Sequence, residues 1–318
     1  MKKLIGIIGS GNMGDDPFHP SSWSGSSKFF FETCAKFGIL ESAFGVESPL
    51  YIRLPLMIRN YSFNRSRWRW KFYHDALYFK SLTREISKKL TSLKLHADTI
   101  QIGGIYNVPM LMKGKCKCYS YHDSNLIQYL ESPLYKKGTF SKSTIDKAFR
   151  YERDVLQGMD KIFTMSEYLR ESFIEDFGIS GDKIKTIGTG INLDRIPDVK
   201  VKDYEKKNIL FIGIDFFRKG GFELLKSFRI IKESIPTARL HIIGPKKLDI
   251  PAEYENGVEF HGFLSKNDPN QRKIFEEVIW NSSLFVMPSL YEPFGIAPLE
   301  AMINEIPCVL TKNGAFPE

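Results

Sequence analysis

Two carboxylates near the end of the chain, Glu292 and Glu300, flank the predicted start of a helix. The apolar run Leu284–Met287 has the length of a strand, and apolar residues at i, i+3 and i+7 after Gly295 predict the helix. In open α/β sheets ligands bind at the carboxyl ends of the strands, and a helix N-terminus there attracts phosphate. The segment therefore predicts a site for a phosphate beside hydroxyl groups, unless both glutamates are merely solvated acids at a helix end.

Several segments of the chain resemble one known family. The stretch 287–302 resembles the donor site of retaining, nucleotide-sugar-dependent glycosyltransferases with the GT-B fold, of the family 4 or group 1 type. Residues 211–221 resemble the first strand and phosphate loop of that family's C-terminal domain, and 188–194 the segment before its linker. Weaker N-terminal likenesses lie at 166–170 and 23–25. The likeness follows nearly the whole chain in order.

The resemblance implies roles for the residues of this donor segment. Glu292 would lie near the transferred sugar, Glu300 would hold the ribose of the nucleotide, and Lys219 would contact the diphosphate. The expected donor site is completed by Phe294, Gly295 and Ile296.

One position departs from the family pattern. Many members carry an arginine directly after the glycine of the first strand, where this chain has Ile214. Arg218, beside Lys219, is either the substitute diphosphate ligand or a side chain that points to solvent.

Length and composition suit a two-domain α/β enzyme. The chain has 318 residues, 42% hydrophobic and 26% charged, which is enough for two cores. We expect the GT-B architecture, two doubly wound Rossmann-like domains facing a cleft: an acceptor-side domain at 1–195, a linker at 196–207 and a nucleotide-sugar-binding domain at 208–318. The second domain is expected to be incomplete, since the family continues beyond the last residues seen here.

Apolar runs and helical periods predict the elements of both domains. The predicted strands cover 4–8, 97–102, 116–121, 161–165, 208–213, 239–243, 258–260, 284–287 and 308–310. Helices are predicted at 151–159 and 167–177, and a helix face is marked by Leu224, Leu225, Phe228, Ile231 and Ile235.

A glycine-rich segment after the first strand allows a competing interpretation. Residues 9–14 fit the dinucleotide fingerprint and resemble NAD(P)-dependent reductases. That motif needs a helix to open at once, whereas two prolines follow and a helix is plausible only from Ser26, with Phe30, Cys34 and Phe37 as its apolar positions. We therefore expect a cleft-lining loop that includes Gly11, and Gly25 as the position of close approach to a donor phosphate or acceptor.

His122 and Asp123 follow a predicted strand and are placed at the same cleft. In the resembling family a histidine in this region often contacts the transferred sugar, so His122 is a candidate catalytic residue and Asp123 a candidate acceptor contact. The alternative is a structural hydrogen-bonding histidine.

The net charge of +8 is concentrated between residues 59 and 95, where ten basic residues are interleaved with aromatic ones, among them Trp68, Trp70, Phe72, Tyr73, Tyr78 and Phe79. Such a segment suits an anionic membrane surface, and less well single-stranded nucleic acid. It also suits a solvated basic helix whose aromatic residues belong to the core. No apolar run is long enough to span a bilayer, so we expect a cytoplasmic protein, peripheral on the inner face of the plasma membrane.

Metal and cofactor chemistry receive no support from the motifs. The four cysteines lack zinc spacing, and the chain has no Asp-x-Asp triplet to hold a metal on a diphosphate. We expect metal-independent transfer of a hexose from a UDP-, GDP- or ADP-sugar to a glycan or lipid-linked acceptor, without a cofactor. Three alternatives remain: an NAD(P)-dependent reductase, a nucleotide-sugar epimerase of the same fold, and an inactive, truncated nucleotide-binding module.

Overall fold

The computed structural model describes residues 2–9, 16–19, 22–93, 97–193, 196–197, 202–246 and 248–318. Contacts between Cα atoms divide the chain into an N-terminal unit, Met1–Glu131 with Tyr135–Gly188, and a C-terminal unit, Ser132–Leu134 with Thr189–Glu318. The predicted boundary at residue 195 stays a prediction. Among the described residues, no helix is both long and apolar enough to cross a membrane.

The N-terminal unit is a parallel sheet with helices. Its strands are β1 (Leu4–Gly9), β2 (Leu40–Val46), β3 (Asp98–Ile102), β4 (Cys118–His122), β5 (Lys161–Thr164) and β6 (Ile184–Thr186). Its helices are α1 (Ser26–Lys36), α2 (Leu50–Arg59), α3 (Arg65–Tyr73), α4 (Ala76–Leu93), α5 (Val108–Met112), α6 (Leu126–Glu131), α7 (Lys142–Gly158) and α8 (Glu167–Glu175). The strand order β2-β1-β3-β4-β5-β6 reverses between β1 and β3. Every residue of β3 is buried, as expected for a parallel sheet covered on both faces.

The C-terminal unit repeats this architecture with fewer strands. It contains β7 (Asn208–Ile212), α9 (Gly221–Ser234), β8 (Arg239–Ile243), β9 (Val258–Gly262), α10 (Pro269–Trp280), β10 (Leu284–Met287), α11 (Ile296–Met302) and β11 (Cys308–Leu310). The order β11-β10-β7-β8-β9 is parallel throughout and reverses between β7 and β10. In such sheets the reversal leaves a crevice at the carboxyl ends of the two strands, where ligands bind.

Two of the differences from the predicted elements affect candidate residues. His122 is the last residue of β4 and does not follow it, because the strand ends one residue later than predicted. α1 does begin at Ser26, but Phe37 is 73% exposed and Phe31, fully buried, takes the core position instead. The face that α1 turns toward the sheet therefore brings Phe31 against β1, where its ring fills the space beside Gly6, which has no side chain.

Part of the predicted linker belongs to the C-terminal unit. Lys202 is buried, and its Nζ donates to the backbone oxygens of Ile279 (2.8 Å) and Trp280 (3.1 Å). The ammonium thereby satisfies carbonyl groups that the end of α10 leaves unpaired. Residues 194–195 and 198–201 of this segment lie outside the described residues.

Most of the aromatic residues between 59 and 95 pack inside the N-terminal unit, whereas Tyr61 and Phe63 are exposed. Phe72 and Tyr78 are buried, and the Trp70 ring stacks on Phe140 with centroids 3.7 Å apart. Arg65, Arg67 and Arg69 are exposed. These basic side chains are thus exposed, while Phe72, Tyr73, Tyr78 and Phe79 contribute to the core.

Candidate active site

Lys219 is placed by a tight turn between β7 and α9. Gly220 caps the helix at φ 74°, in the left-handed region that favours glycine. A Cβ at this position would lie 1.9 Å from the backbone oxygen of Pro288, which follows β10. The backbone N–H of Leu290 donates to the oxygen of Arg218 at 2.9 Å. The loops at the carboxyl ends of β7 and β10 are therefore held against each other.

Glu292 meets Lys219 at this point. The carboxylate is 6% exposed, and its Oε2 lies 2.5 Å from Nζ of Lys219. Burial lowers the pKa of Lys219, and the neighbouring Glu292 charge opposes that shift. Glu292 also accepts from the hydroxyl of Ser289 at 3.4 Å. The ion pair is largely removed from solvent, and electrostatic interactions are stronger in the protein interior than in water.

Arg218 points into the same cluster. Its Nη1 donates to the backbone oxygen of Tyr291 at 3.0 Å and lies 3.3 Å from Oε2 of Glu292. Ile214, where many family members have arginine, is 69% exposed. Arg218, four residues after Ile214 in the chain, thus binds the same glutamate as Lys219. The expectation that it points to solvent is wrong.

Glu300 forms a second buried ion pair, with Lys266. The carboxylate is 5% exposed and bonds through Oε1 to the Nζ of Lys266. Burial raises the pKa of Glu300, and the ammonium of Lys266 lowers it in part. The interpretation of Glu292 and Glu300 as solvated acids is therefore wrong. Lys266 lies in the loop after β9. No sequence motif around it predicted that it would contact the donor segment.

The segment between the two glutamates is shaped by close approaches. Gly295 has φ 97° and precedes α11, and a Cβ there would lie 2.4 Å from the ring of Phe316. Gly314, at φ 63°, has no room for a side chain because the backbone oxygen of Glu292 occupies that space. Phe294 and Ile296 are half-buried on either side of Gly295. The last residues of the chain thus support the loop that carries Glu292.

This arrangement can bind an anion. Lys219 and Arg218 share one carboxylate oxygen of Glu292, so a single negative charge faces two cations. Asp215 contacts Arg218 at 3.6 Å, but its side chain is 57% exposed and mostly hydrated. The cluster therefore retains donors and positive charge at the crevice between β7 and β10 for a ligand such as a diphosphate.

His122, predicted from the sequence as a sugar contact, is buried at the end of β4. Its ring is 5% exposed, and burial lowers its pKa to about 4, so the imidazole is neutral at pH 7. Among the described residues its Nε2 has no hydrogen-bond partner. Asp123 is half-buried and accepts from the hydroxyl of Ser124 at 3.1 Å.

A cavity of about 290 Å³ lies at the carboxyl ends of β1 and β3. Gly9 and Gly103 form part of its wall, and most other lining residues are aromatic: Trp23, Tyr73, His74, Tyr78, Phe79 and Tyr106. Gly25, buried at φ 91°, caps α1 close behind Trp23 in the chain. The sequence motifs did not mark this cavity, because its walls come from four separate segments.

The competing dinucleotide motif falls mostly outside the described residues, which omit 10–15 and therefore Gly11. The described residues 16–19 contain a turn, and α1 begins only at Ser26. A dinucleotide fingerprint requires a helix directly after its glycines, so this part of the structure does not favour a reductase.

One further cluster of chemically active side chains was missed by the sequence reasoning. Among the described residues, one group of three side chains of metal-ligating type has its ligand atoms close together: His241, Glu259 and His261. They lie on β8 and β9, not in the loops after β7 and β10. Glu259 and His261 are two residues apart on one strand, a spacing that places side chains on one face, and this was the available signal.

Two family models match consecutive parts of the chain. A family model described as Glycosyl transferases group 1 matches residues 193–318, and one described as Glycosyltransferase Family 4 matches residues 47–195. The chain is 25% identical over 271 residues to the putative glycosyltransferase YtcC of Bacillus subtilis, covering 76% of this chain and 62% of the relative. It is also 25% identical over 191 residues to mannosylfructose-phosphate synthase of Agrobacterium fabrum, covering 52% and 41%.

The fold has solved counterparts. Sucrose-phosphate synthase from Thermosynechococcus elongatus superimposes with a TM-score of 0.65 at 13% identity, covering 98% of this chain and 82% of that one. The matches to the two curated relatives above span 41% and 62% of their own lengths. The two family models together with the shared architecture show that this chain belongs to the group 1 glycosyltransferases, which have the GT-B fold.

Proposed function

We propose that this protein transfers a hexose from a nucleoside-diphosphate sugar to a glycan or lipid-linked acceptor, with retention of the anomeric configuration. The observation that carries the proposal is the meeting of Lys219 and Glu292. They are 73 residues apart in the chain, yet their buried side chains form an ion pair at the crevice between β7 and β10. Two of the similar proteins are named as synthases of phosphorylated sugars, which supports sugar transfer as the reaction class.

The donor residues divide into two groups in this proposal. Lys219 and Arg218 bind the diphosphate, Glu292 holds the transferred sugar, and Glu300 holds the ribose. Negative charge develops on the diphosphate as it leaves, so fixed cations lower the barrier more than they strengthen ground-state binding. Ribose hydroxyls do not change during the reaction, so Glu300 contributes to binding.

The acceptor side of the proposal uses the N-terminal unit. Its aromatic cavity offers flat apolar surfaces with few charges, which suits the faces of sugar rings or the apolar part of a lipid-linked acceptor. His122, Asp123, Gly11 and Gly25 remain the candidate contacts here.

Nucleotide binding is the first test. UDP, GDP, ADP, NADH and NADPH are compared by thermal shift on the full chain. We expect one nucleoside diphosphate to raise the Tm, because a ligand at about 100 times its Kd adds about 2.7 kcal/mol. Lys219→Ala should reduce the shift, and Lys226→Ala, at an exposed position on α9, should leave it unchanged. Stabilisation by NADPH alone would favour the reductase alternative.

A labelled sugar nucleotide then separates the remaining classes. Transfer to an added acceptor, with the anomeric configuration read by NMR, supports the proposal. Epimerised donor would indicate the epimerase, and binding without turnover would indicate an inactive module.

Transfer is proposed to be metal-independent, because Arg218 and Lys219 supply the positive charge that a divalent ion supplies elsewhere. Adding Mg²⁺ or Mn²⁺ to chelator-treated protein should change turnover by less than about twofold. A requirement for either ion would contradict this part of the proposal.

We also propose that an anionic membrane is bound at residues 50–95. The described part of this segment has exposed apolar side chains before and within the basic region: Leu50, Tyr51, Leu54, Ile58, Tyr61 and Phe63. Arg59, Arg65, Arg67 and Arg69 are exposed nearby in the chain. Apolar side chains that insert between lipids, together with basic side chains that contact anionic headgroups, attach proteins to the anionic cytoplasmic leaflet.

Vesicle co-sedimentation tests this attachment. Binding should rise with phosphatidylglycerol content and fall with salt, since exposed charges are screened within about 8 Å at physiological ionic strength. Reversing Arg65, Arg67 and Arg69 to glutamate, or changing Phe63→Asp, should abolish it without loss of nucleotide binding. Ile230→Asp, at an exposed apolar position on α9, is the control. Equal binding to neutral and anionic vesicles would contradict attachment by charge.

A further inference from the structure

Three ligating side chains meet on the last two strands at one edge of the C-terminal sheet. His241 lies in the middle of β8, and Glu259 lies opposite it in the parallel register of β9. His261 follows two residues later on β9. All three side chains are half-buried, and β9 is the terminal strand in the order β11-β10-β7-β8-β9.

An irregularity in β9 brings the second histidine close. The register pairs Ile242 with Phe260 and then Ile243 with Gly262, so that His261 is an extra residue. In a regular ladder His261 would oppose Ile243. Bulges of this kind re-aim a side chain, and here Nε2 of His261 lies 3.0 Å from Nδ1 of His241.

The three ligand atoms have the spacing of a metal site. Nδ1 of His241 lies 3.3 Å from Oε2 of Glu259, and all three ligand atoms lie within 4.8 Å of one another. A tetrahedral zinc ion binds nitrogen and oxygen at about 2.0–2.2 Å, which places neighbouring ligand atoms about 3.3–3.5 Å apart. Small movements of the side chains would bring the three atoms onto one ion.

The surroundings orient the carboxylate of Glu259 toward the histidines and leave it accessible. Nη1 of Arg239 donates to Oε1 of Glu259 at 2.8 Å and leaves Oε2 facing His241, as outer hydrogen bonds do for metal-binding carboxylates. Imidazole nitrogen is the commonest protein ligand of zinc and related ions, and two imidazoles face each other here. The side chain of Glu259 is 42% exposed, which gives an ion access from solvent.

We propose that His241, Glu259 and His261 bind one divalent transition-metal ion, with zinc preferred and a fourth position left to water. Two imidazoles with one carboxylate select zinc over magnesium, which prefers oxygen ligands. The ion joins the edge strand β9 to β8 and so stabilises this side of the sheet. The site is separate from the donor residues after β7 and β10, and it does not depend on the proposed function.

Calorimetric titration of the full chain without a histidine tag tests this site. After chelator treatment, the wild-type protein should bind one Zn²⁺ and no Mg²⁺, and Zn²⁺ should raise its Tm. His241→Gln and His261→Gln should each weaken zinc binding more than about tenfold, since even outer-sphere changes cost about 10–100-fold. His19→Gln removes an exposed imidazole outside the cluster and should bind zinc like the wild type.

A cobalt titration guards against variants that fold poorly. Co²⁺ bound by the wild-type protein should give the visible absorption of a four-coordinate site, and Glu259→Gln should change that spectrum, with circular dichroism confirming its fold. Zinc binding that is unchanged in His241→Gln and His261→Gln, or absent from the wild type, would overturn the proposal. UDP, GDP and ADP binding should be the same in all these variants.

Discussion

The two units differ in how their buried titratable side chains are paired. In the C-terminal unit Lys219 forms an ion pair with Glu292, and Lys266 forms one with Glu300. In the N-terminal unit the buried side chains of His122 and Glu152 have no oppositely charged partner among the described residues. Burial lowers the pKa of His122 to about 4 and raises that of Glu152 to about 8. Both groups are therefore neutral at pH 7.

The two units also differ in the side chains that they present at the carboxyl ends of their strands. A charged pair costs desolvation when it is buried, and it is retained at the C-terminal crevice, where an anion can exploit the spare cation. The N-terminal cavity is instead lined mainly by aromatic side chains. Two sheets with the same kind of strand reversal thus present opposite chemistry, one suited to a diphosphate and the other to a neutral acceptor.

The largest expected effect is on the pH dependence of stability in the N-terminal unit. Because the folded-state pKa of Glu152 is about 8 against an ordinary 4.5, the folded chain keeps a proton that the unfolded chain loses. The contribution of Glu152 to the free energy of unfolding is therefore fully present below pH 4.5 and is lost as the pH rises towards 8. Glu152→Gln cannot ionise. The difference in free energy of unfolding between this variant and the wild type should therefore shift in favour of the variant by up to about 1.4 kcal/mol per pH unit, or about 3.5 kcal/mol between pH 5 and 8.

Urea unfolding at pH 5 and pH 8 measures this gain. Glu175→Gln, at an exposed position on α8, is the control for loss of one carboxylate. If the difference between Glu152→Gln and wild type is the same at both pH values, Glu152 is not held neutral and the contrast between the units fails on this side.

The next effect is expected at the paired charges of the C-terminal unit. Lys219→Ala should lower turnover by about 100-fold or more, as removal of a group that stabilises developing charge does, while the donor constant rises less. Steady-state kinetics with Lys226→Ala as the control measures both constants. Near-normal turnover in Lys219→Ala and also in Glu292→Gln would mean that this cluster is not the reacting site.

Glu300→Gln should chiefly weaken donor binding, by about tenfold, with little change in turnover. Gln keeps the shape but replaces a charge-assisted hydrogen bond by a neutral one, which is about half as strong. Glu292→Gln is the comparison, because it should change turnover instead. Titration of nucleoside diphosphate and single-turnover rates separate the two. The same pattern in both variants would contradict the division between sugar and ribose contacts.

The smallest expected effect concerns the aromatic cavity. Trp23 lines it and packs edge-on against Tyr121 with ring centroids 5.7 Å apart. Trp23→Ala should raise the acceptor KM by about 3–10-fold, as loss of an aromatic stacking surface does, and leave nucleotide binding unchanged. Phe37→Ala, an exposed aromatic in the same unit, is the control. An effect on donor binding alone would place the acceptor elsewhere.

Short-range patterns in the sequence determined much of the secondary structure. Strands β8, β10 and β11 have the predicted limits to the residue, because apolar runs bounded by turn residues are decided locally. Strands β2 and β6 and helices α2, α5, α6 and α10 were not predicted. The start of α7 was also missed, although Ser141 caps it by accepting from the N–H of Thr144, a local signal of a helix start.

The sequence by itself also determined the family and which residues belong to the donor segment, since Lys219, Glu292 and Glu300 stand in recognisable motifs. Only the tertiary structure decided their state. Packing turned both glutamates inward, brought Arg218 to Glu292, and supplied Lys266 from 34 residues away to Glu300. The bulge that carries His261 to His241 arises from the register between two strands. Such pairings depend on contacts between distant segments, and local side-chain patterns contain no information on them.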